Sequence, residues 1–280
     1  MTSFARHPAG LLFILFCIVF CISYNNSASV DALEVSVPVA TTIVFDAAET
    51  PASHPDGKYS YVAITRSCDH DFVGLCIPVY SGPGIEYRKI AKLRNGMVLK
   101  VKSIEGANGQ IWYKVYFDEW LRHPERVEEE WYVPAVAGNI VTDDGEILRS
   151  ATTTLTTKRI VVDLSDHMLY AYDREKEFMV TKISNGTQSA PTPLGNFTIY
   201  KKTPSRYMQG PIPGVNDSPF DLPGVPWNLY FTDDGAVIHG SYWHERYGTA
   251  QSSGCINLPP ELAKILYAWA EVGMSVVVVK

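Results

Sequence analysis

Two short segments of the sequence hold side chains that can do covalent chemistry together. One is Ile238-His239-Gly240-Ser241-Tyr242-Trp243-His244, the other Gln251-Ser252-Ser253-Gly254-Cys255-Ile256-Asn257. His239 and Cys255 each sit beside a glycine and next to a short apolar segment, so neighbouring strands can bring the two loop ends together. The thiolate is the reactive form of cysteine, and it needs a proton acceptor and a local field that favours negative charge. His239 is the acceptor in reach. The field is expected from downstream, where Pro259-Pro260-Glu261 opens a predicted helix. Leu262, Ile265, Leu266, Trp269 and Val272 fall at helical spacing there, and Gly273 is the stop. Cys255 is then expected close to a helix N-terminus, whose dipole and free N–H groups favour a thiolate and an oxyanion. Gly254 is expected to let the backbone approach a reacting carbonyl closely.

The elements that position this pair come next. The chain has 280 residues, room for one large or two medium domains, and its 46% hydrophobic content is ordinary for a packed protein. A net charge of −6 argues weakly against nucleic acid as a partner. Residues 1–29 carry Arg6 and His7 before an apolar run over 11–22, followed by small residues. That pattern predicts an export signal, with an uncleaved anchor as the alternative, since the run is short for a ~30 Å hydrocarbon core.

Beyond this segment the cysteines are Cys68, Cys76 and Cys255. In an oxidising compartment Cys68 and Cys76 are expected to close a small loop, the alternative being two reduced thiols. A metal site using both with His70 lacks a fourth ligand at suitable spacing, and His244-Glu245 has no second histidine at zinc-peptidase spacing. No metal or other cofactor is therefore expected. Cys255 is left single, as expected of a thiol kept for chemistry.

Residues 30–66 lack sustained periodicity and carry several prolines, so they read as a linker with one strand at 42–45. From 67 to 150 short strand-like runs at 76–80, 88–93, 97–104, 111–117 and 130–133 alternate with Gly/Asn/Pro turns. The polar stretch 118–129 reads as solvated surface. Tyr80, Tyr87, Trp112, Trp120 and Trp131 read either as an aromatic binding groove or mostly as barrel core, with Trp112 and Trp131 expected in the core and Trp120 exposed in the polar loop. From 157 to 280 the runs at 159–164, 168–172, 178–183, 196–200, 229–231, 236–238 and 275–279 predict a β-rich domain with one late helix. The turn Asp233-Asp234-Gly235 is placed to deliver His239 at a strand end. The stretch 204–226, dense in Pro and Gly, reads as a long loop forming one wall of a cleft. Tyr207 and Met208 either line that wall or pin it down. Tyr230, Trp243, Ser252 and Asn257 are candidate substrate contacts, with Tyr242 a further wall candidate. His244 is expected to be structural.

The His-Gly pair, the gap and Ser-Ser-Gly-Cys-Ile-Asn resemble the active-site signature of the YkuD-type L,D-transpeptidases, bacterial enzymes that cross-link peptidoglycan. The likeness runs upstream through Thr192-Pro193-Leu194-Gly195-Asn196-Phe197 and Gly224-Val225-Pro226-Trp227, and covers roughly 157–280. It departs at Ser253, where many members carry histidine. The resemblance implies Cys255 as nucleophile, His239 as base and the Gly240 carbonyl as the group orienting the imidazole. The N–H groups of Ser253, Gly254 and Cys255 would form the oxyanion hole. The implied reaction cuts a tetrapeptide stem after its diaminopimelate residue, releases D-Ala and passes the acyl group to an amine on a second stem. Residues 67–150 resemble bacterial SH3-like (SH3b) modules, which commonly accompany cell-wall enzymes. An aromatic groove there would take wall peptides or glycan. The expected fold is therefore mainly β, a small SH3-like barrel followed by a β-rich YkuD-type catalytic domain. The expected partners are stem peptides and wall polymer, and the expected location is an exported one, at the wall, in the periplasm or outside the cell. A hydrolase on the same site and a non-enzymatic wall-binding protein are the competing readings.

Overall fold

The computed structural model describes residues 56–150 and 156–280. The expected signal, most of the expected linker and the strand expected at 42–45 lie outside the described residues. The described residues are mainly β with one α-helix.

The first sheet holds seven strands, β1 (Tyr59–Ile64), β2 (Pro78–Tyr80), β3 (Lys89–Lys92), β4 (Val98–Ala107), β5 (Gln110–Val115), β6 (Trp131–Pro134) and β7 (Gly138–Asp143). Their order is β3-β2-β6-β5-β4-β1-β7. Val98, Leu99, Val101 and Ser103 of β4 turn inward, then the burial thins toward its far end. β1 lies inside the stretch expected as linker, yet it pairs with β4 on one side and β7 on the other. Its alternation Tyr-Ser-Tyr-Val-Ala-Ile is too short for periodicity to stand out from the proline-rich residues before it. Trp112 and Trp131 are buried, whereas Trp120 is 68% exposed. Cys68 and Cys76 form a disulfide.

The second half has two sheets. β9 (Lys158–Asp163), β10 (Met168–Asp173), β11 (Lys176–Lys182), β13 (Gly195–Thr198) and β19 (Ser275–Val279) form one, in the order β11-β10-β9-β19-β13. Ile160, Val162, Leu169, Ala171, Val276 and Val278 alternate inward, the period-two pattern of a sheet with one packed face. The other sheet carries the Cys/His segments and has the order β17-β12-β18-β16-β15-β14-β8. Its strands are β8 (Ile147–Leu148), β12 (Ser184–Gly186), β14 (Lys201–Gln209), β15 (Asp221–Tyr230), β16 (Val237–Gly240), β17 (Thr249–Ser252) and β18 (Ile256–Leu258).

Helix α1 (Pro260–Trp269) packs on β15 and β16. Of the expected stripe it buries Leu266 and packs Leu262 and Trp269 against the same core, adding Ala263 and Tyr267, while Ile265 is 49% exposed and the helix stops before Val272 and Gly273. The Lys202 ammonium, itself buried, donates to the Tyr267 and Ala270 carbonyls at 2.8 and 3.0 Å, capping the helix end with positive charge.

The expected loop at 204–226 is mostly strand. β14 and β15 form a long antiparallel hairpin, and only residues 210–220 connect them. The prolines are tolerated because β16 pairs with β15 only at Leu229 and Tyr230, so Pro223 and Pro226 lie where one side of the strand has no ladder to serve. Residues 118–129 are not simply solvated surface either. Glu119 accepts the Tyr207 N–H at 2.8 Å and pairs with Arg206, and Gln209 exchanges hydrogen bonds with the His123 backbone. This loop clasps the hairpin, and two hydrophobic clusters are built from both halves of the sequence. Tyr61 and Val98 join the core of the second half, while Val225 and Tyr242 join that of the first.

Candidate active site

The register of three adjacent strands decides what can meet. In the parallel pair β16/β18, Ile238 faces Ile256 and His239 faces Asn257. One step back on alternate residues, Cys255 falls opposite Val237 and shares a sheet face with His239. With strands ~4.8 Å apart and ~3.3 Å per residue, His239 and Cys255 are diagonal neighbours with Cβ atoms roughly 8 Å apart, within side-chain reach. The turn at 233–235 delivers β16 as expected, with Gly235 at φ +100°.

His239 is buried, and its Nδ1 lies 3.0 Å from the Gly240 carbonyl. A carbonyl only accepts, so Nδ1 carries the proton and Nε2 is left as the base. The Trp243 ring packs against the imidazole at 5.7 Å. Gly240 itself is wedged, since a Cβ there would meet Pro226 and Pro260 at 2.8 and 3.0 Å.

Cys255 is the free cysteine among the described residues and is partly exposed. Burial pushes its thiol up to about 11, against the Val237 N–H, which favours the thiolate. Burial also lowers His239 to about 4, against the Gly240 hydrogen bond, which raises it. Both shifts favour the neutral thiol–imidazole pair at rest over the thiolate–imidazolium pair. The expected help from the helix is absent at this position. α1 begins beyond the far end of β18, roughly 10–16 Å along the chain from Cys255.

The backbone around the thiol is held by hydroxyls. Thr192 Oγ1 accepts the Gly186 N–H and donates to the Gly254 carbonyl, both at 2.9 Å. Ser252 Oγ donates to the Cys255 carbonyl. Because a peptide is planar, fixing the Gly254 carbonyl fixes the opposite direction of the Cys255 N–H. Among the described residues, the N–H groups of Ser253, Gly254 and Cys255 donate to no backbone carbonyl. Gly254 is required by its φ of +106° and not by crowding, since a Cβ would meet nothing closer than 3.6 Å.

Several candidate contacts take other roles. Ser252 is spent on the Cys255 carbonyl, and Asn257 faces the buried His244 Nε2 at 3.1 Å, so both brace the loop. His244 also lies 3.4 Å from the Ser184 hydroxyl and accepts the Arg246 N–H, a structural placement. Tyr207 is buried against Phe117 and Trp131 with its hydroxyl on Asp221, and Met208 packs on the same cluster, so both pin the hairpin. Tyr242 is buried with its hydroxyl on the Pro223 carbonyl and is not a cleft wall. Tyr230 and Trp243 stay beside the pair. Ser253 binds Asn216 Nδ2 at 3.0 Å, so the hairpin's connecting loop does reach the site. Sequence reasoning quoted Thr192 without a role and missed Asn216; no local pattern marks a residue whose partner lies 37 or 62 positions away. Among the described residues no cluster of three or more His, Cys, Asp or Glu could hold a metal.

The β-rich second half, with its Cys/His pair on one sheet face, is the catalytic-domain class that the comparisons identify. Residues 157–279 match the YkuD family model, the L,D-transpeptidase catalytic domain, and the chain belongs to this family. The catalytic domain of an L,D-transpeptidase from E. faecium is 30% identical, with 45% of this chain and 100% of that one covered and a TM-score of 0.39. The same domain acylated by ertapenem gives the same values. An L,D-transpeptidase from Mycobacterium smegmatis is 21% identical over 65% of this chain and 99% of that one, with a TM-score of 0.43. No curated protein matches.

Proposed function

We propose that the chain is a peptidoglycan L,D-transpeptidase acting through an acyl-enzyme on Cys255. The observation that carries this reading is the free Cys255 thiol on one sheet face with His239, whose Nδ1 is committed to the Gly240 carbonyl. Cys255 Sγ attacks the stem-peptide carbonyl as its proton passes to His239 Nε2. Concerted transfer suits a pair that rests neutral, because no free thiolate has to be maintained in a desolvated site. The N–H groups around Gly254 and Cys255 hold the oxyanion, and their freedom from backbone partners supports that role. Collapse expels D-Ala, whose amine takes the proton from His239, and leaves a thioester. The amine of a second stem attacks the thioester, its proton goes to His239, and the thiol is restored.

In the same reading, residues 67–150 with β1 serve as an SH3-like wall-binding module, and the protein is exported to the wall, with residues 1–29 as its signal or anchor. The competing chemistry is hydrolysis, with water in place of the acceptor amine. Mass spectrometry of products from purified tetrapeptide stems, with and without an added amine, decides between them. The transpeptidase yields cross-linked or amine-exchanged peptide plus D-Ala, whereas tripeptide plus D-Ala with no cross-linked or amine-exchanged peptide would establish a hydrolase.

A further inference from the structure

A cavity of about 470 Å³ lies where the loop over 118–129 meets the outer face of β14. Its lining includes Lys100, Lys201 and Arg206 together with Asp118, Glu119 and Glu146. These six pair among themselves: Lys100 with Asp118 at 2.7 Å, Lys201 with Glu146 at 3.1 Å, and Arg206 with Glu119. No charge is left over for a ligand to neutralise. The ammonium and guanidinium groups nevertheless keep unspent N–H donors, and the carboxylates keep unspent lone pairs. A wall offering donors and acceptors side by side without net charge suits hydroxyls, which use both.

Trp120 is part of the lining and 68% exposed, with the Arg122 guanidinium 5.7 Å from its ring. An indole so exposed is a rigid flat platform with little conformational entropy to lose on contact. Tyr230 also lines the cavity. Lys201 faces Tyr230, Tyr230 faces Val237, and Val237 lies opposite Cys255 by the β16/β18 register. Cys255, Tyr230 and Lys201 thus stand in one cross-strand row, with Tyr230 roughly 10 Å and Lys201 roughly 14 Å from the nucleophile at ~4.8 Å per strand.

We propose that this cavity binds a neutral, hydroxyl-rich sugar unit of the wall polymer, the saccharide to which the stem peptide is attached, with Trp120 stacking on a sugar face. The proposal rests on the reading of Cys255 as the site of stem-peptide acylation. Three or four extended residues span roughly 10–14 Å, so a sugar held at Lys201 and Trp120 places the third residue of its own stem at Cys255. The sugar and the stem would then be bound as one substrate along a single row of the sheet.

The test uses the full chain carrying Cys255→Ala, which prevents turnover, titrated with three probes by calorimetry and tryptophan fluorescence. These are a disaccharide-tetrapeptide, an N-acetylglucosamine tetramer and the free tetrapeptide. The expected result is that the disaccharide-tetrapeptide binds on the order of tenfold more tightly than the free tetrapeptide and that the sugar tetramer binds alone. Trp120→Ala, at an exposed position where folding is not at stake, should erase both effects and leave free-tetrapeptide binding unchanged. Equal affinities for the two peptides, or free-tetrapeptide binding that falls with Trp120→Ala, would overturn the saccharide assignment, the latter in favour of a peptide site. Sugar binding that depends on Trp120 in a wild-type chain that transfers no acyl group would sustain the cavity and remove the proposed reaction instead.

Discussion

At the scale of single residues, the proposed chemistry depends on groups that hold Cys255 as much as on the thiol. Thr192 is buried and bridges Gly186 to Gly254, so its hydroxyl sets the plane that aims the Cys255 N–H. Thr192→Val keeps the shape, removes both bonds and should lower kcat by about 10–100-fold with a smaller change in KM, while Thr192→Ser should retain most activity. Steady-state kinetics on tetrapeptide stems check this; an equal loss in the serine variant would mean that the methyl packing matters instead. The two buried histidines give a pH prediction. Burial lowers His239 and His244 to about 4 from an ordinary value near 6.5. Between those values the unfolded chain binds more protons than the folded one, so stability rises with pH across that window and is lost as pH falls from about 6.5 toward 4. Both rings act in the same direction, read as a falling urea midpoint between pH 7 and 4.5. A flat midpoint would show that these rings are not held neutral. The pairing of Cys255 with His239 on one sheet face was legible because their types and glycine neighbours are local features. The roles of Ser252 and Asn257 were not, because whether a polar side chain faces a ligand or its own backbone depends on loop curvature.

At the scale of elements, strands announced themselves and their partnerships did not. Runs such as 275–279 and 168–172 emerged nearly as expected because alternation with β-branched and aromatic residues is a local signal. The β14–β15 hairpin was hidden because Pro204, Pro223 and Pro226 suggest a loop wherever the sheet's free sides are unknown. The disulfide loop carries a consequence between elements. His70, within residues 68–76, lies 3.2 Å from Glu245, and the Arg94 guanidinium sits between the Phe72 and Tyr242 rings at 4.8 and 4.6 Å. From sequence, loss of the bridge would loosen the first half and spare the second; these contacts carry the disturbance across. Cys68→Ser with Cys76→Ser should lower stability by about 2–3 kcal/mol and also raise proteolytic cleavage near residues 242–248. Limited proteolysis with mass mapping checks it, and cleavage confined to residues 66–95 would restore the simpler expectation.

At the scale of the whole molecule, the described halves pack as one compact unit. Val225, Tyr242 and Tyr207 of the second half pack into the first, and Tyr61 and Val98 do the reverse. Residues 157–280 expressed alone would expose these surfaces and should melt well below the full chain, measured by calorimetry; matching midpoints would show that the halves are energetically independent. The two successive runs of strands were legible in the sequence, but their shared cores were not, since neither run records what covers its outer face. The central claim, Cys255 as nucleophile with His239 as its base, is tested most directly by mass-spectrometric acylation kinetics with a carbapenem, whose strained lactam carbonyl mimics the scissile amide. Wild type should gain one adduct on Cys255, and Cys255→Ala should gain none while keeping its fold. His239→Ala should react on the order of 10²–10⁴ more slowly. Ser253→Ala, which loses only the Asn216 contact, should stay near wild type. An adduct in the Cys255 variant, rapid acylation without His239, or an equal collapse in the His239 and Ser253 variants would contradict the account.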